Sequence, residues 1–430
     1  VSGASLTRNS IARLIAEGSI LAIALVTAVI TARWLGADGK GLLSSISYLA
    51  MLILNIGLLG LAETQIVLVG QKRATLDRAY SSTVTASLFL GALSAAAMWA
   101  IAFFEFRRDW SVAALPALLL ALSIPAGMLW QAAAHVLNAR ERMVASSALL
   151  VFNAVAIVTG TVLLVMVFRR GILGAALAVA AASALSALAG LAMVRRIGVH
   201  LALSWDGAYL REAARLGVRL QLATLFVSMA SRFDQLLVYS LAGARDAGIY
   251  SVALTCGSLA FLPPFALAYA TFPRLAGLGA DEAAELTARG ARVAMVITTL
   301  AGIPLALLVP LAIRLAFGPS FAPAAVPAII LIGGSVVLAA QYFLARGRAA
   351  QGDPRLVLES FAITAVVMIA LDYLAIPRFG LIGAACASVA GNIAGLLRCI
   401  AASGWRARSL VPRAGELMDA AMSLRRTFGL

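Results

Sequence analysis

The sequence predicts an all-α polytopic membrane protein of about twelve transmembrane helices, in two pseudo-twofold six-helix bundles around a central cleft. Three observations predict it. The chain of 430 residues is 62% hydrophobic and only 12% charged, against roughly 45–50% apolar in an ordinary soluble domain. Apolar stretches of about 20 residues, each long enough to cross a bilayer, recur from end to end. Two short motifs occur twice at nearly one spacing.

The spans are expected over 11–32, 42–69, 80–104, 112–137, 144–168 and 172–194 in the first half. In the second they are 216–241, 247–272, 291–316, 323–345, 356–375 and 380–404. Pro116, Pro125, Pro263, Pro264, Pro304 and Pro310 fall inside spans, where neighbouring helices can satisfy the carbonyls that proline frees. The organisation read from this pattern is an N-terminal bundle over 1–198 and a cytoplasmic linker over 199–215. A C-terminal bundle over 216–404 and a basic cytoplasmic tail over 405–430 follow.

Orientation comes from the basic residues. In one alternate set of loops, with the tail, fall 23 Lys and Arg, against 9 in the other. The richer side faces the cytoplasm, so both termini are expected there. The net charge of +15 sits in short loops and fits a surface facing anionic lipid, not nucleic acid.

The repeats come next. "GADGKG" (Gly36–Gly41) returns as "GARDAG" (Gly243–Gly248), an offset of 207, each after the first helix of its half. "GILGAALA" (Gly171–Ala178) returns as "GLIGAACA" (Gly380–Ala387), an offset of 209, each opening the last helix of its half. Six helices separate the copies. An even number gives halves of the same orientation, related by an axis along the membrane normal, which is transporter architecture.

Several chemistries find no residues here. The two lysines, Lys40 and Lys72, lie in no phosphate-cradling G-x-x-x-x-G-K-[ST] loop. His135 and His200 are the only histidines, and no nucleophile or metal-ligand set assembles around them. The chain reads as a non-enzyme without cofactor. Cys256, Cys386 and Cys399 lie in apolar runs without paired spacing and read as small buried hydrophobes.

A charge inside a span costs roughly 2.5–3.5 kcal/mol on insertion scales, so each one needs a partner or a wet cavity. The cationic candidates are Arg13, Arg215, Arg219 and Arg232; the polar or coupling candidates are Glu17, Asn55, Glu63, Gln131 and Asp234. Arg13 and Glu17, four apart, can also neutralise each other. Asp372, near the outer end of its helix, reads as snorkelling to the surface. Arg232 and Asp234 are two apart, so they point about 200° from each other on a helix. A structural ion pair to a neighbouring helix and a role with substrate or ion both stay open.

Four stretches in order resemble the polysaccharide (Wzx-like) flippases of the multidrug/oligosaccharidyl-lipid/polysaccharide exporter superfamily. They are "ARWLGADGKGLLS" (Ala32–Ser44), "LAGARDAGIYSVA" (Leu241–Ala253), "AFGPSFAPAAVPAIIL" (Ala316–Leu331) and "IPRFGLIGAACASVAG" (Ile376–Gly391). One departure is Lys40-Gly41, where the family usually has tyrosine. The resemblance covers about 10–400. It implies a bacterial inner-membrane flippase carrying a polyprenyl-diphosphate-linked oligosaccharide outward by alternating access, for O-antigen, capsule or exopolysaccharide. It further implies partners among membrane lipids, polysaccharide polymerase and assembly proteins, and a cleft lined by helices one, two, seven and eight. A dianionic cargo wants arginines without matching carboxylates. Energy would come from a proton or sodium gradient or from removal of cargo outside. The alternative is an ion-coupled multidrug or metabolite exporter of the same superfamily, which Glu17, Glu63 and Asp234 would serve.

Overall fold

The computed structural model describes the backbone of residues 3–403 and the side chains of residues 15–402 except Tyr269 and Pro273. The basic tail expected over 405–430 lies outside the described residues. Among these residues every regular element is helical. In order they are α1 (Gly3–Leu58), α2 (Leu61–Gly70), α3 (Leu76–Glu105), α4 (Trp110–Ala139), α5 (Met143–Thr161) and α6 (Gly171–Arg196). Then come α7 (Gly207–Ala242), α8 (Ala244–Ala260), α9 (Leu262–Ala276), α10 (Ala280–Ala312), α11 (Ala325–Ala350) and α12 (Arg355–Ser403).

Eight of the helical runs are long and apolar enough to cross a membrane, and the bent pair α8–α9 makes a ninth. Two of these runs are double, because α1 is kinked at Gly36 and α12 at Gly380. With each side of a kink taken separately, the second half of α1 joined to α2 and α8 joined to α9 as single runs, and α7 included, the described residues form six helical runs before the linker and six after it.

Boundaries differ from expectation where backbone chemistry intervenes. The segment expected over 42–69 is broken at Leu59 and Gly60, both at positive φ. The segment expected over 247–272 bends at Phe261, just before the Pro263–Pro264 pair. The linker is shorter than 199–215, since α7 begins at Gly207. Both repeats prove to be conformational. Gly36, Gly243, Gly171 and Gly380 have φ of 70°, 96°, 57° and 57°. Each turns the chain into the helix that follows, a conformation that glycine adopts without a β-carbon penalty. In each Gly-Ala motif the first glycine breaks the helix and the next five residues start another.

The chain divides into two compact units. Of the described residues, the first comprises 3–225 with 243–248, the second 226–242 with 249–403. Within each, packing follows membrane logic. The second unit's core is built on small residues, Ala283, Ala291, Ala294, Ala339 and Ala345, closing around Phe343. Small residues let helix backbones approach where no hydrophobic effect drives association. Large apolar side chains point outward instead: Leu300, Ile303, Leu307 and Leu311 form an exposed stripe at helical spacing on α10. Cys256 and Cys399 are buried, but Cys386 is exposed. It stands one turn from Ile382 on the same outward face of α12.

The linker is strapped to the start of α3. The His200 amide donates to Asp77 Oδ1 at 2.8 Å and the Ala202 amide to Ser81 Oγ at 3.1 Å. Asp206 closes the strap twice over. It pairs with Arg78, and its Oδ1 accepts the Tyr209 amide at 2.9 Å, capping α7. The guanidinium and the capped amide hold the Asp206 carboxyl well below its usual range, at about 2.

Candidate functional site

Two polar constellations stand out, one in each unit. In the first unit, α7 docks on the break between α1 and α2. A β-carbon on Gly217 would overlap the backbone of Leu59 and Gly60, so these helices touch main chain to main chain. Gln221 Nε2 donates to the Asn55 carbonyl at 2.6 Å. This contact carries the first turns of α7 alongside the end of α2.

Between them lies a basin of about 430 Å³. Arg211, Arg215 and Arg219 enter it from α7, and Arg73 enters from the loop after α2. Spacing i, i+4, i+8 puts the three α7 guanidinia in one stripe, where like charges repel by roughly 0.2–0.5 kcal/mol per pair. Such a stripe is most favourable with an anion beside it. Among the described residues lining the basin, Glu212 is the one carboxylate, and it pairs with Arg73. Val67, Leu68 and Leu216 give it apolar walls.

In the second unit, Asp234 is 1% exposed and sits among hydroxyls. Tyr250 Oη donates to its Oδ2 at 2.6 Å and Ser388 Oγ to the same oxygen at 2.7 Å. The Gln235 amide donates to Oδ1 at 2.9 Å. Three helices, α7, α8 and α12, thus converge on one carboxyl. Arg232 is exposed, as its offset of two residues requires, yet acts on Asp234 electrostatically. Both line a cavity of about 190 Å³ with Ser388, Asn392, Phe261 and Tyr342.

Asp372 corrects the sequence reading. It does not snorkel: it is 0% exposed, and neither carboxyl oxygen has a hydrogen-bond partner. It lies within electrostatic reach of Asp234 and Tyr250. Its neighbours Tyr373 and Leu374 face outward, so the helix turns Asp372 inward.

Of the nine residues singled out by sequence, the structure brings Arg215 together with Arg219, and Arg232 together with Asp234. The Arg13 side chain lies outside the described residues. Glu17 and Gln131 are half-buried, on α1 and α4. Asn55 contributes its carbonyl, and Glu63 is half-buried with Oε2 lacking a hydrogen-bond partner. Sequence reasoning gave no site role to Arg73, Arg211, Tyr250, Ser388 or Asp372. A signal existed for two of them: Arg211 shares the four-residue spacing, and an intramembrane carboxylate such as Asp372 is by itself a functional hypothesis. Glu359 and Arg398, also inside spans, pair with each other.

A family model described as polysaccharide biosynthesis protein matches residues 6–278. The chain belongs to this family. Its fold is that of the multidrug/oligosaccharidyl-lipid/polysaccharide (MOP) superfamily transporters. An inward-facing multidrug resistance MATE family transporter superposes with a TM-score of 0.79 at 16% identity, covering 93% of this chain and 98% of that one. The lipid II flippase MurJ, inward closed, gives 0.73 at 15% identity, covering 97% and 92%. A MOP superfamily transporter from Pyrococcus furiosus gives 0.69 at 15%, covering 94% and 96%. At these identities the likeness is one of fold. Among curated proteins, none matches the chain. This member of the polysaccharide biosynthesis family is therefore a multi-pass membrane protein with a transporter fold.

Proposed function

We propose that this protein is a flippase that moves a polyprenyl-diphosphate-linked oligosaccharide from the cytoplasmic to the outer leaflet of the bacterial inner membrane by alternating access. The products would be O-antigen, capsule or exopolysaccharide, and the downstream partners polymerase and assembly proteins. The observation that carries this reading is the basin with Arg73, Arg211, Arg215 and Arg219 around one carboxylate. A diphosphate offers several anionic oxygens, and guanidinium forks match them with paired N–H donors. Membership of a polysaccharide biosynthesis family supports the same cargo class.

The Asp234 cluster is the candidate for ion coupling. Two buried carboxyl groups, Asp234 and Asp372, lie within electrostatic reach of each other in an apolar unit, so ionising both is costly. A proton or a sodium ion relieves that cost, and intramembrane carboxylates commonly serve as such relays. Ser388 and Tyr250 offer hydroxyls that can reorient when the carboxyl changes state.

The same carboxylates favour the second reading, an ion-coupled exporter of organic cations, and MATE transporters share the fold. One reconstitution separates the two. Liposomes containing the protein receive a fluorescent polyprenyl-diphosphate glycan or a cationic dye. Movement of the glycan lipid, reduced by Arg215→Gln with Arg219→Gln, supports the flippase. Dye export that depends on Asp234 without glycan movement would replace it with the exporter.

A further inference from the structure

We infer that Glu212 is the specificity-determining residue of the arginine basin, admitting a diphosphate while excluding the singly charged headgroups of ordinary phospholipids. The inference rests on the reading of the basin as a diphosphate site. Glu212 stands three residues before Arg215 and seven before Arg219, on the face of α7 that carries both. It lines the basin and forms the ion pair with Arg73. The carboxylate therefore already occupies the place of an anion on one of four guanidinia. A leaflet rich in anionic lipid presents many monoanions to any basic surface. Four arginines with no internal competitor would hold them indiscriminately.

With Glu212 in place, a phosphodiester either displaces a carboxylate of equal charge from Arg73 or sits on the other guanidinia beside that carboxylate. The first gains little and the second adds a repulsion. A diphosphate carries more charge and more acceptor oxygens. It engages Arg211, Arg215 and Arg219 while Arg73 stays on Glu212, or takes all four. Selection by a repulsive element built against the wrong ligand is a general route to specificity.

Binding of two probes to the purified full chain in detergent tests this: farnesyl diphosphate and dioctanoyl phosphatidylglycerol. Wild type should prefer the diphosphate by about tenfold or more, and Glu212→Gln should shrink that ratio several-fold, chiefly by tightening phosphatidylglycerol. Glu212→Asp keeps the charge and should keep the preference, so a general folding defect at this position is distinguishable from a lost repulsion. Equal tightening of both probes by Glu212→Gln, or no tightening of either, would overturn the inference. If wild type flips the glycan lipid in liposomes but shows no diphosphate preference, this inference falls and the flippase stands. If the preference and its loss appear but no glycan lipid is flipped, the selective basin stands and the flippase falls.

Discussion

Gly41 and Gly248 meet backbone to backbone: a β-carbon on Gly41 would overlap the Ala244 carbonyl and the Gly248 amide, and one on Gly248 would overlap the Ala37 carbonyl. With the repeat offset of 207, Gly41 corresponds to Gly248 and Ala37 to Ala244. The contact is thus reciprocal, as in an isologous interface, where residue i meets j and j meets i. Residues 243–248 belong to the first compact unit, so the two copies of the motif pack within one body.

Gly41→Ala and Gly248→Ala should each destabilise the protein by about 1–3 kcal/mol, because the obstacle is main chain that cannot rotate away. Gly18→Ala should do the opposite. No atom lies within 4 Å of a β-carbon there, and alanine in a helix interior gains about 0.5–1 kcal/mol over glycine. Thermal unfolding in detergent checks both signs, and a neutral Gly41→Ala would count against the contact.

The cytoplasmic placement of the linker can be tested at Leu203, which is exposed between α6 and α7. In a variant lacking Cys256, Cys386 and Cys399, Leu203→Cys should react with a membrane-impermeant maleimide only after the cytoplasmic face is opened. Labelling from outside intact cells would reverse the proposed orientation of the whole chain.

Fold and site were unequally legible in the sequence. Span existence followed from apolar run length, and the repeat glycines proved to be the positive-φ positions that break helices. The break at Leu59–Gly60 escaped notice because it interrupts an apolar run without changing composition, whereas the bend at Phe261 was signalled by the Pro263–Pro264 pair that follows it. For the site, Arg215, Arg219, Arg232 and Asp234 were legible because charge in a greasy run is conspicuous. Tyr250 and Ser388 were not: a hydroxyl is ordinary in a membrane helix, and only the fold brings residues 234, 250 and 388 onto one oxygen. Asp372 was visible but misplaced, since distance along a helix does not tell which way the side chain faces.

The strap at Asp206 should be sensitive to acid. Its carboxyl is held below the ordinary range, at about 2. A depressed carboxylate contributes stability that is present above the unfolded value of 3.8 and is lost as pH falls toward the folded value. Pepsin, active at acid pH, should therefore cut within 199–206 faster as pH drops from about 4 to 2. Asp206→Asn, which cannot carry the charge, should be cut readily at pH 4 and show a flatter profile. Identical profiles would detach Asp206 from the strap's stability.

The Asp234 cluster makes the sharpest distinction between structure and mechanism. If Asp234 only ties α7 to α8 and α12, then Tyr250→Phe and Ser388→Ala should lower the melting temperature and reduce transport in proportion to protein lost. If it binds the coupling cation, both variants should fold, yet reach half-maximal transport at a shifted ion concentration, lower for a proton and higher for sodium. Each removes one hydroxyl donor from a single carboxyl oxygen. A hydrogen bond to a charged group is worth roughly 1.5–3 kcal/mol, so the apparent cation affinity should change by about tenfold or more. Asp234→Asn and Asp372→Asn go further, since each removes one of the two buried carboxyl groups that can bind and release a cation. Transport by both should become slow and nearly independent of the gradient, with protein level retained. Rates measured in liposomes across imposed proton and sodium gradients separate the cases. Full gradient dependence in Asp234→Asn would exclude a coupling role for that residue and leave it a structural tie between three helices.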